Sequence, residues 1–268
     1  LLLKQGYTYV VDADLKSYFV TIPHDLLMVR IRDKLADNRI LSLVELFLKQ
    51  QIMETTTGWT PETGTPQGAV LSPLLSNIYL DPLDHLMAQS GVNMVRYADD
   101  FVILCRTEAE ALIALDKVQR WTAQAGLSLH PTKTRIVDAT VRGGFDFLGY
   151  HFELGKRCPR RKSETKLKDA IRDKTRRTNG HSLLAIILDV NRTLKGWFEY
   201  FKHSHPYTFS SLDSWIRMRM RSILRKRSGG RGRGRGADHQ RWRNAFFAEL
   251  GLFSLVAAHA EASQSSRR

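Results

Sequence analysis

The sequence predicts an α+β domain built on a mainly antiparallel sheet with flanking helices, followed by an all-helical region. Up to about residue 155, segments typical of strands and helices follow one another in the order β-α-α-loop-α-β-β-α-β-β. Beyond that point the apolar residues recur at helical spacing. The charge changes at the same place: residues 1–150 hold 14 Lys and Arg against 17 Asp and Glu, and residues 151–268 hold 27 against 10.

The strands of the first region are predicted from alternation. Residues 7–14 alternate, with Tyr9, Val11 and Ala13 on one face and Val10, Asp12 and Asp14 on the other, so the second face ends in carboxylates. Residues 94–97 and 101–104 predict a β-hairpin that turns at Ala98-Asp99-Asp100. The remaining predictions are strands at residues 134–137 and 145–152, and a loop or hairpin over residues 55–68.

The helices of this region are predicted from their end signals and apolar stripes. The first begins at residues 21–23, because Pro23 suits a first helical turn. Its predicted buried stripe is Leu26, Leu27, Ile31 and Leu35. A later helix spans residues 108–124, with an inward face made of Leu112, Leu115 and Val118. Two more helices are predicted over residues 41–52 and 72–87.

The second region is predicted to begin with a basic linker, residues 156–162, that marks a domain boundary. Helices follow over residues 182–202 and around residues 212–224. Their predicted buried residues are Ile187, Leu194, Phe198 and Phe201 in the first, and Leu212, Ile216, Met220, Ile223 and Leu224 in the second. Residues 228–236 contain only Ser, Gly and Arg, which predicts a flexible linker that orders on nucleic acid. One or two short helices are expected within residues 242–258.

Composition limits the classes of protein that fit these 268 residues. The two cysteines, Cys105 and Cys158, cannot form a disulfide framework or a cysteine-based zinc site, so we expect a reducing compartment, a bacterial-type cytoplasm. No apolar run is long enough to span a membrane. The opening residues 1–6 are not a signal peptide, and they indicate a chain cut from a longer one.

The second region carries a net charge of +17, which is more than solubility requires and predicts a nucleic-acid partner. Arg217, Arg221 and Arg225 recur every four residues along one helix face. They form either a solvated surface or a row of phosphate contacts, and the lack of interspersed acids favours phosphate contacts. The Ser-Gly-Arg segment is expected to bind nucleic acid through its own three arginines, Arg231, Arg233 and Arg235.

Carboxylates at the end of one strand and in one hairpin turn are the candidate catalytic groups. Asp14, Asp99 and Asp100 come without a neighbouring His or Cys, which favours Mg²⁺ or Mn²⁺ over zinc. Two such ions about 4 Å apart support phosphoryl transfer. The alternative is that Asp99-Asp100 is an ordinary turn pair; the apolar strands on both sides weaken that alternative.

Five blocks of this sequence resemble those of reverse transcriptases, in that family's order. The signature turn is YADDFV at residues 97–102, and the first catalytic strand is DLKSYF at residues 14–19. The other blocks are TPQGAVLSPLLSNI at residues 65–78, GLSLHPTKT at 126–134 and the primer-grip-like FDFLGY at 145–150. Within the superfamily the chain resembles group II intron-encoded reverse transcriptase/maturases, because LKGWFEYF at residues 194–201 is similar to their thumb, or maturase, domain.

The resemblance implies a role for individual residues. Asp14, Asp99 and Asp100 would hold two Mg²⁺ ions, which Mn²⁺ can replace, with the Leu15 carbonyl as a further ligand. Phe19 matches the steric gate that selects dNTPs over rNTPs, and a core aromatic is its alternative. The remaining assignments are nucleotide contact by Gln67 and Gly68, a pyrophosphate-facing cation and general acid at Lys133, with a surface lysine as its alternative, and a supporting position for Asp12.

The resemblance also implies a domain organisation and a set of partners. Residues 1–155 would form the polymerase palm with a remnant of the fingers, residues 156–227 the helical thumb or maturase domain, and residues 228–268 a nucleic-acid-binding linker and tail. The expected partners are an RNA template, the intron RNA, a DNA primer and dNTPs, within a ribonucleoprotein. No membrane and no zinc are expected, because the Cys/His set of a zinc endonuclease module is missing from the sequence.

Two departures from the family pattern bear on activity. The basic motifs of the fingers would lie upstream of Leu1, which places processive synthesis in question. Val20 also stands where the family usually has Asp.

Three functions therefore compete. The leading hypothesis is RNA-directed DNA synthesis with an intron-RNA-binding role. The alternative is a maturase or relic that binds intron RNA without DNA synthesis. A host-recruited defence reverse transcriptase would share the catalytic blocks but not the maturase-like thumb.

Overall fold

The computed structural model describes residues 2–49, 52–54, 57–59, 63–65 and 69–265. The chain divides into two compact units, the first ending at Phe147 and the second beginning at Leu148. Among the described residues, no helix combines the length and the apolar character that crossing a lipid bilayer requires.

The first unit contains a four-stranded antiparallel sheet with the spatial order β4-β5-β1-β6. Its described strands are β1 Tyr9–Asp14, β2 Ile52–Glu54, β3 Thr57–Trp59, β4 Asn93–Tyr97, β5 Asp100–Cys105, β6 Arg135–Asp138 and β7 Phe145–Phe147. Strands β2 and β3 pair as a separate hairpin. The helices are α1 Tyr18–Thr21, α2 His24–Arg32, α3 Asn38–Leu48, α4 Ser72–Gln89 and α5 Glu108–Gln124. The predicted α+β class, the antiparallel hairpin and the flanking helices are confirmed.

The core of the first unit lies on one face of this sheet. Val11 and Ala13 of β1 and Phe101 and Ile103 of β5 are all buried there, together with apolar residues of helices α2 to α5. The alternation of β1 therefore directs its apolar face to the helices and sends Asp12 and Asp14 to the opposite face. This strand geometry is what brings the carboxylates to one place.

Two helix predictions in this unit were wrong in detail. Leu26 and Leu112 are 38% and 55% exposed instead of buried. Helix α5 buries a stripe that starts one residue earlier, made of Ala111, Ala114, Val118 and Thr122. The small side chains of that stripe let the helix lie close to the sheet. A search for the most hydrophobic residues therefore identifies the wrong side of the helix as buried. Residues 21–23 also do not begin one helix, because α1 ends at Thr21 and Pro23 is the N-cap of α2.

The second unit consists of a hairpin and a set of helices. Its elements are β8 Tyr150–Glu153, β9 Lys156–Pro159, α6 Arg161–Lys174, α7 Leu183–Phe201, α8 Pro206–Arg227, α9 Ala237–Arg241, α10 Asn244–Glu249 and α11 Leu255–Ser265. Its core contains most of the predicted stripes of α7 and α8, including Leu194, Phe198 and Ile216. The predicted linker at residues 156–162 was wrong: β9 pairs with β8 across a turn at Leu154-Gly155, and α6 follows directly.

The Ser-Gly-Arg segment, residues 228–236, is folded back onto helix α8. The backbone N–H of Gly230 donates to the Arg225 carbonyl over 2.8 Å, and that of Gly234 donates to Ser222 Oγ over 3.1 Å. A Cβ at Gly234 would lie 2.5 Å from the Cβ of Arg221, so only glycine allows this approach. The prediction of a free flexible linker was therefore wrong, because low complexity here serves close backbone packing.

Candidate active site and nucleic-acid-binding surface

Two of the three candidate carboxylates are cross-strand neighbours. Asp14 at the end of β1 pairs directly with Asp100 at the start of β5. Directly opposed residues of an antiparallel pair project from the same face, with Cβ atoms about 5 Å apart. The chain after Asp14 is fixed by backbone hydrogen bonds, since the N–H of His130 donates to the Asp14 carbonyl over 2.7 Å. Leu15 is buried and forms an isolated β-bridge with Leu129.

The turn that carries Asp99 is held by Arg96, a residue that the sequence analysis missed. Arg96 Nη1 donates to the carbonyl of Ala98 over 2.9 Å, and Nε donates to Asp84 Oδ1 of helix α4 over 2.8 Å. Ala98 itself has a φ of 56°, which is an uncommon conformation for a residue with a Cβ. The hydrogen bond that Arg96 donates to Asp84 raises the pKa of Arg96, so the guanidinium stays charged. A lone arginine inside an apolar strand was the signal for this role.

Lys133 lies among the three carboxylates. Its Nζ is 2.5 Å from Asp14 Oδ2, and its side chain is 62% exposed. The pKa of Lys133 is raised, chiefly by the hydrogen bond and charge of Asp14 and further by the charges of Asp99 and Asp100. The structure thus brings together four residues that the sequence singled out from three separate segments.

Asp12 is engaged by a different cation. Arg135 Nε donates to Asp12 Oδ2 over 3.2 Å, and Arg135 Nη2 donates to the Gly144 carbonyl over 3.3 Å. Burial raises the pKa of Asp12, and the hydrogen bond from Arg135 opposes that shift. Asp12 thus pairs with Arg135, whereas Asp14, on the same face of β1, pairs with Lys133.

The donor set at the strand ends suits a hard divalent cation. Carboxylate oxygens without histidine or cysteine are the ligands that Mg²⁺ takes in proteins. As the side chains stand, no three acidic, His or Cys residues of the described ranges converge closely enough to enclose a metal ion. The Lys133 ammonium, paired with Asp14, is the cation that these carboxylates hold. In the chemistry of its donor atoms, the site therefore fits a divalent ion.

The predicted nucleotide contacts are described only in part. Gln67 and Gly68 lie outside the described residues. Phe19 is partly buried against the core, and its carbonyl accepts a hydrogen bond from the N–H of Thr65 over 2.6 Å. The Val20 carbonyl accepts a hydrogen bond from the Thr63 hydroxyl over 3.1 Å.

Gly64, which the sequence analysis did not single out, locks this contact. It has a φ of +86°, and a Cβ there would lie 2.7 Å from the Val20 Cα and 2.8 Å from the Phe19 carbonyl oxygen. Its N–H donates to the Ile22 carbonyl over 2.7 Å. Residues 63–65 are thereby fixed against residues 19–22, at the start of the block that contains Gln67. The Gly-Thr-Pro sequence was the available signal for a tight backbone approach.

In the second unit, the predicted row of phosphate-binding arginines does not face solvent as a row. Arg221 is only 3% exposed, and its guanidinium donates to the Trp242 carbonyl and to Asn244 Oδ1 over 2.9 and 2.7 Å. Arg225 pairs with Asp238 over 2.7 Å. Arg217 lies 3.8 Å from the buried Asp213. Arg221 and Arg225 therefore attach later segments of the chain to helix α8, whereas Arg217 pairs with Asp213 one turn earlier in the same helix.

The arginines of the Ser-Gly-Arg segment are placed differently. Arg231, Arg233 and Arg235 are all exposed, while the backbone around them is bound to the protein. The carbonyl of Arg231 accepts a hydrogen bond from Arg225 Nε over 2.8 Å, and the N–H of Arg235 donates to Asp238 Oδ2 over 2.9 Å. These three side chains are consequently held on the surface with their guanidinium groups available to a ligand.

Comparison with known proteins agrees with these features. Residues 1–152 match the family described as reverse transcriptase (RNA-dependent DNA polymerase), and residues 165–242 match the group II intron maturase-specific domain. Protein YkfC of Escherichia coli (strain K12) is 28% identical over 215 residues, which cover 68% of this chain and 56% of YkfC. The group II intron-encoded protein LtrA of Lactococcus lactis subsp. cremoris is 39% identical over 84 residues, covering 31% of this chain and 14% of LtrA.

The fold is also similar to that of solved structures. A telomerase structure from Candida tropicalis superposes with a TM-score of 0.51 at 14% identity, covering 83% of this chain and 43% of that chain. This chain spans little more than half of YkfC and a smaller part of LtrA. The matched ranges and the strand-end carboxylates together lead to one conclusion: the chain belongs to the reverse transcriptase family and carries a group II intron maturase-specific domain.

Proposed function

We propose that this protein is an RNA-directed DNA polymerase of a group II intron that also binds its intron RNA. The observation that carries the proposal is that Asp14 pairs with Asp100 at the ends of two central strands and binds Lys133, on which the charge of Asp99 also acts. Such a group is suited to nucleotidyl transfer, in which positioning and charge stabilisation supply most of the rate enhancement. RNA template, DNA primer, dNTPs and intron RNA are the proposed partners, and zinc has no proposed role.

Members of this family generally use divalent metal ions. Asp14, Asp99 and Asp100 are the residues that would hold two Mg²⁺ or Mn²⁺ ions, with the Leu15 carbonyl as a further ligand. When bound, the ions lower the pKa of the primer 3′-hydroxyl and neutralise the triphosphate. The direct pairing of Asp14 with Asp100 across β1 and β5 supports this role, because opposed residues project from the same face of the sheet.

The other residues act on the nucleotide. Lys133 would donate its proton to the departing pyrophosphate. Phe19 would lie beneath the sugar and exclude a 2′-hydroxyl, with Gln67 and Gly68 contacting the incoming dNTP. Asp12 would keep Arg135 in place and take no direct part.

Primer extension tests the proposal. A DNA primer annealed to an RNA template is incubated with dNTPs and Mg²⁺, with the wild-type chain and the Asp99→Ala variant. We expect extension by the wild-type chain and a loss of about 10³-fold in the variant, since a metal ligand contributes several kcal/mol. Asp116→Ala, which removes an exposed carboxylate paired with Arg120 on helix α5, is the matched control and should extend like the wild-type chain.

Two results would contradict the proposal. Equal extension by the wild-type chain and Asp99→Ala would remove the carboxylates from the chemistry. Absence of extension by a chain that still binds the RNA would instead favour the alternative, an RNA-binding maturase without DNA synthesis.

A further inference from the structure

The second unit contains a cationic pocket that is separate from the Arg217, Arg221 and Arg225 row. It has a volume of about 150 Å³ and is lined by four arginines, which come from the last turn of α6, the segment that follows it, α8 and the Ser-Gly-Arg segment. They are Arg172, Arg177, Arg219 and Arg233. Trp215 supplies the aromatic wall. No motif in the sequence predicts this pocket, because its residues meet only through tertiary folding.

Arg219 is fixed at the centre of the pocket. Its Nε donates to Thr175 Oγ1 over 2.5 Å, and its Nη2 donates to the Thr175 carbonyl over 3.0 Å. Within the described ranges its Nη1 has no protein acceptor. A guanidinium that is anchored on one edge and open on the other is preorganised for a phosphate, because little side-chain freedom remains to be lost.

The charges in the pocket are not balanced by nearby acids. Arg177 and Arg233 have no carboxylate partner in the part of the chain that the structure describes, and only Arg172 has one, its helix neighbour Asp169. Burial and the charges of the other three arginines lower the pKa of Arg219. The four positive charges repel one another at this distance. An anion that enters the pocket is attracted by each of them and relieves this repulsion.

Trp215 adds a feature that a simple anion site does not need. The guanidinium carbons of Arg219 and Arg172 lie 5.5 and 5.7 Å from the centroid of its ring. Aromatic rings and arginine planes are the surfaces on which proteins stack unpaired RNA bases. A double helix does not enter a pocket of this volume.

We propose that this pocket binds an unpaired nucleotide of RNA, with Arg177, Arg219 and Arg233 contacting its phosphates and Trp215 stacking on its base. The choice of RNA rests on the proposed function. The docked Ser-Gly-Arg segment completes the pocket, because Arg233 immediately precedes Gly234, whose close contact with Arg221 fixes the backbone there. The Gly-Arg repeat thus provides packing through glycine and phosphate binding through arginine.

Fluorescence anisotropy with a labelled 12-nucleotide unpaired oligoribonucleotide, and with a blunt RNA duplex of the same length, tests the pocket. The variant Arg177→Ala/Arg233→Ala should bind the unpaired RNA at least 10-fold more weakly, with a salt dependence shallower by about two ions. The control Arg161→Ala/Arg192→Ala removes two exposed arginines outside the pocket and should change the affinity less than threefold. Thermal unfolding of each variant verifies that the second unit remains folded.

Trp215→Leu tests the stacking. It should weaken binding of the unpaired RNA about 5- to 10-fold and leave duplex binding within twofold, whereas Trp215→Phe should retain most of the affinity. Equal losses for both RNAs, or no loss for Trp215→Leu, would overturn the assignment of a base to this ring.

The outcomes for the pocket and for the proposed function are distinguishable. Equal affinities of the pocket variant and the control variant, with tight binding by the wild-type chain, would overturn the pocket alone. Failure of the wild-type chain to bind either RNA would overturn the RNA-binding part of the proposed function as well.

Discussion

The two units use charged residues in opposite ways. In the first unit, which has a net charge of −3, the important charges stand at strand ends and turns and remain partly exposed. In the second unit, with a net charge of +17, the most regular row of cations turns inward, and Arg221 is almost fully buried. The cations suited to a ligand there are the irregularly spaced ones that line the pocket.

This difference follows from what each scaffold can hold. An antiparallel sheet projects opposed residues from one face, so carboxylates on two strands meet without further support. A helix places residues four apart on one side, and that side can be covered by any later segment of the chain. Regular spacing therefore predicts a shared face on a helix, and the tertiary fold decides whether this face is a surface or an interface.

The largest effect on stability is expected at Arg221. Arg221→Leu leaves the Trp242 carbonyl and Asn244 without their donors and should destabilise the second unit by about 3 kcal/mol. Arg235→Ala removes an exposed guanidinium nearby and should change stability by less than about 0.5 kcal/mol. Urea unfolding of both variants measures the difference. Similar losses of unfolding free energy in the two variants would mean that Arg221 is a surface residue and does not hold the later segments in place.

In the first unit, the next largest effect is expected at Lys133, which pairs with Asp14. Lys133→Ala should slow primer extension about 10²-fold, which equals about 2.7 kcal/mol of activation free energy, because a general acid contributes this much. Single-turnover extension with saturating dNTP isolates the step. Lys4→Ala, an exposed lysine in the opening turn, serves as the control and should extend at the wild-type rate. A rate for Lys133→Ala equal to that of the control would leave Lys133 as only a partner of Asp14.

Two glycines with nearly the same backbone angle separate local strain from close packing. Gly64 and Gly6 have φ values of +86° and +88°, but only Gly64 lies against other backbone atoms. We expect Gly6→Ala to cost about 1 kcal/mol of unfolding free energy and Gly64→Ala at least about 2 kcal/mol. Gly64→Ala should also raise KM for dNTP, because residues 63–65 lead into the block that contains Gln67. Equal costs for the two changes would show that the contact with Val20 has no energetic weight.

The smallest effect is a pH dependence at the base of the Ser-Gly-Arg segment. The N–H of Arg235 and the Arg225 guanidinium lower the pKa of Asp238. Because its folded-state pKa lies below its unfolded value of about 3.9, the stabilisation is present above that pH and is lost as pH falls through the folded-state pKa. The Tm of the wild-type chain should therefore exceed that of Asp238→Asn at pH 7, and the two should converge in acid. A constant difference between them over this range would contradict the assignment.

The positions of Asp14, Asp99 and Asp100 were predictable from the sequence for a physical reason. The alternation around Asp14 and the short hairpin at Asp99-Asp100 are local patterns that place these carboxylates at strand ends. The resemblance to reverse transcriptases was what indicated that they act together. A lone arginine in an apolar strand was the only sequence signal for Arg96, and its contact with Asp84 of helix α4 could not be predicted, because it depends on the tertiary fold. The buried side of helix α5 was predicted wrongly, because alanines are buried there and the larger Leu112 is not.

For the second unit, the sequence predicts the helices but not which residues the arginines bind. The stripe of Leu212, Ile216 and Met220 correctly located helix α8 and its buried face. The fate of Arg221 depends on Trp242 and Asn244, which are about twenty residues away in sequence. The docking of the glycines likewise depends on Ser222 and Arg225. Such contacts leave no periodic signal in the sequence.

We propose that the carboxylates Asp14, Asp99 and Asp100 of the first unit perform the chemistry and that the second unit binds the RNA. The most direct test measures primer extension as a function of RNA concentration for Asp99→Ala and for Arg177→Ala/Arg233→Ala. We predict that Asp99→Ala loses extension at every concentration with unchanged RNA affinity. The arginine variant should need about 10-fold more RNA and reach a saturating rate within about twofold of the wild-type chain. Extension by Asp99→Ala at the wild-type rate, or a saturating rate of the arginine variant as low as that of Asp99→Ala, would contradict the account.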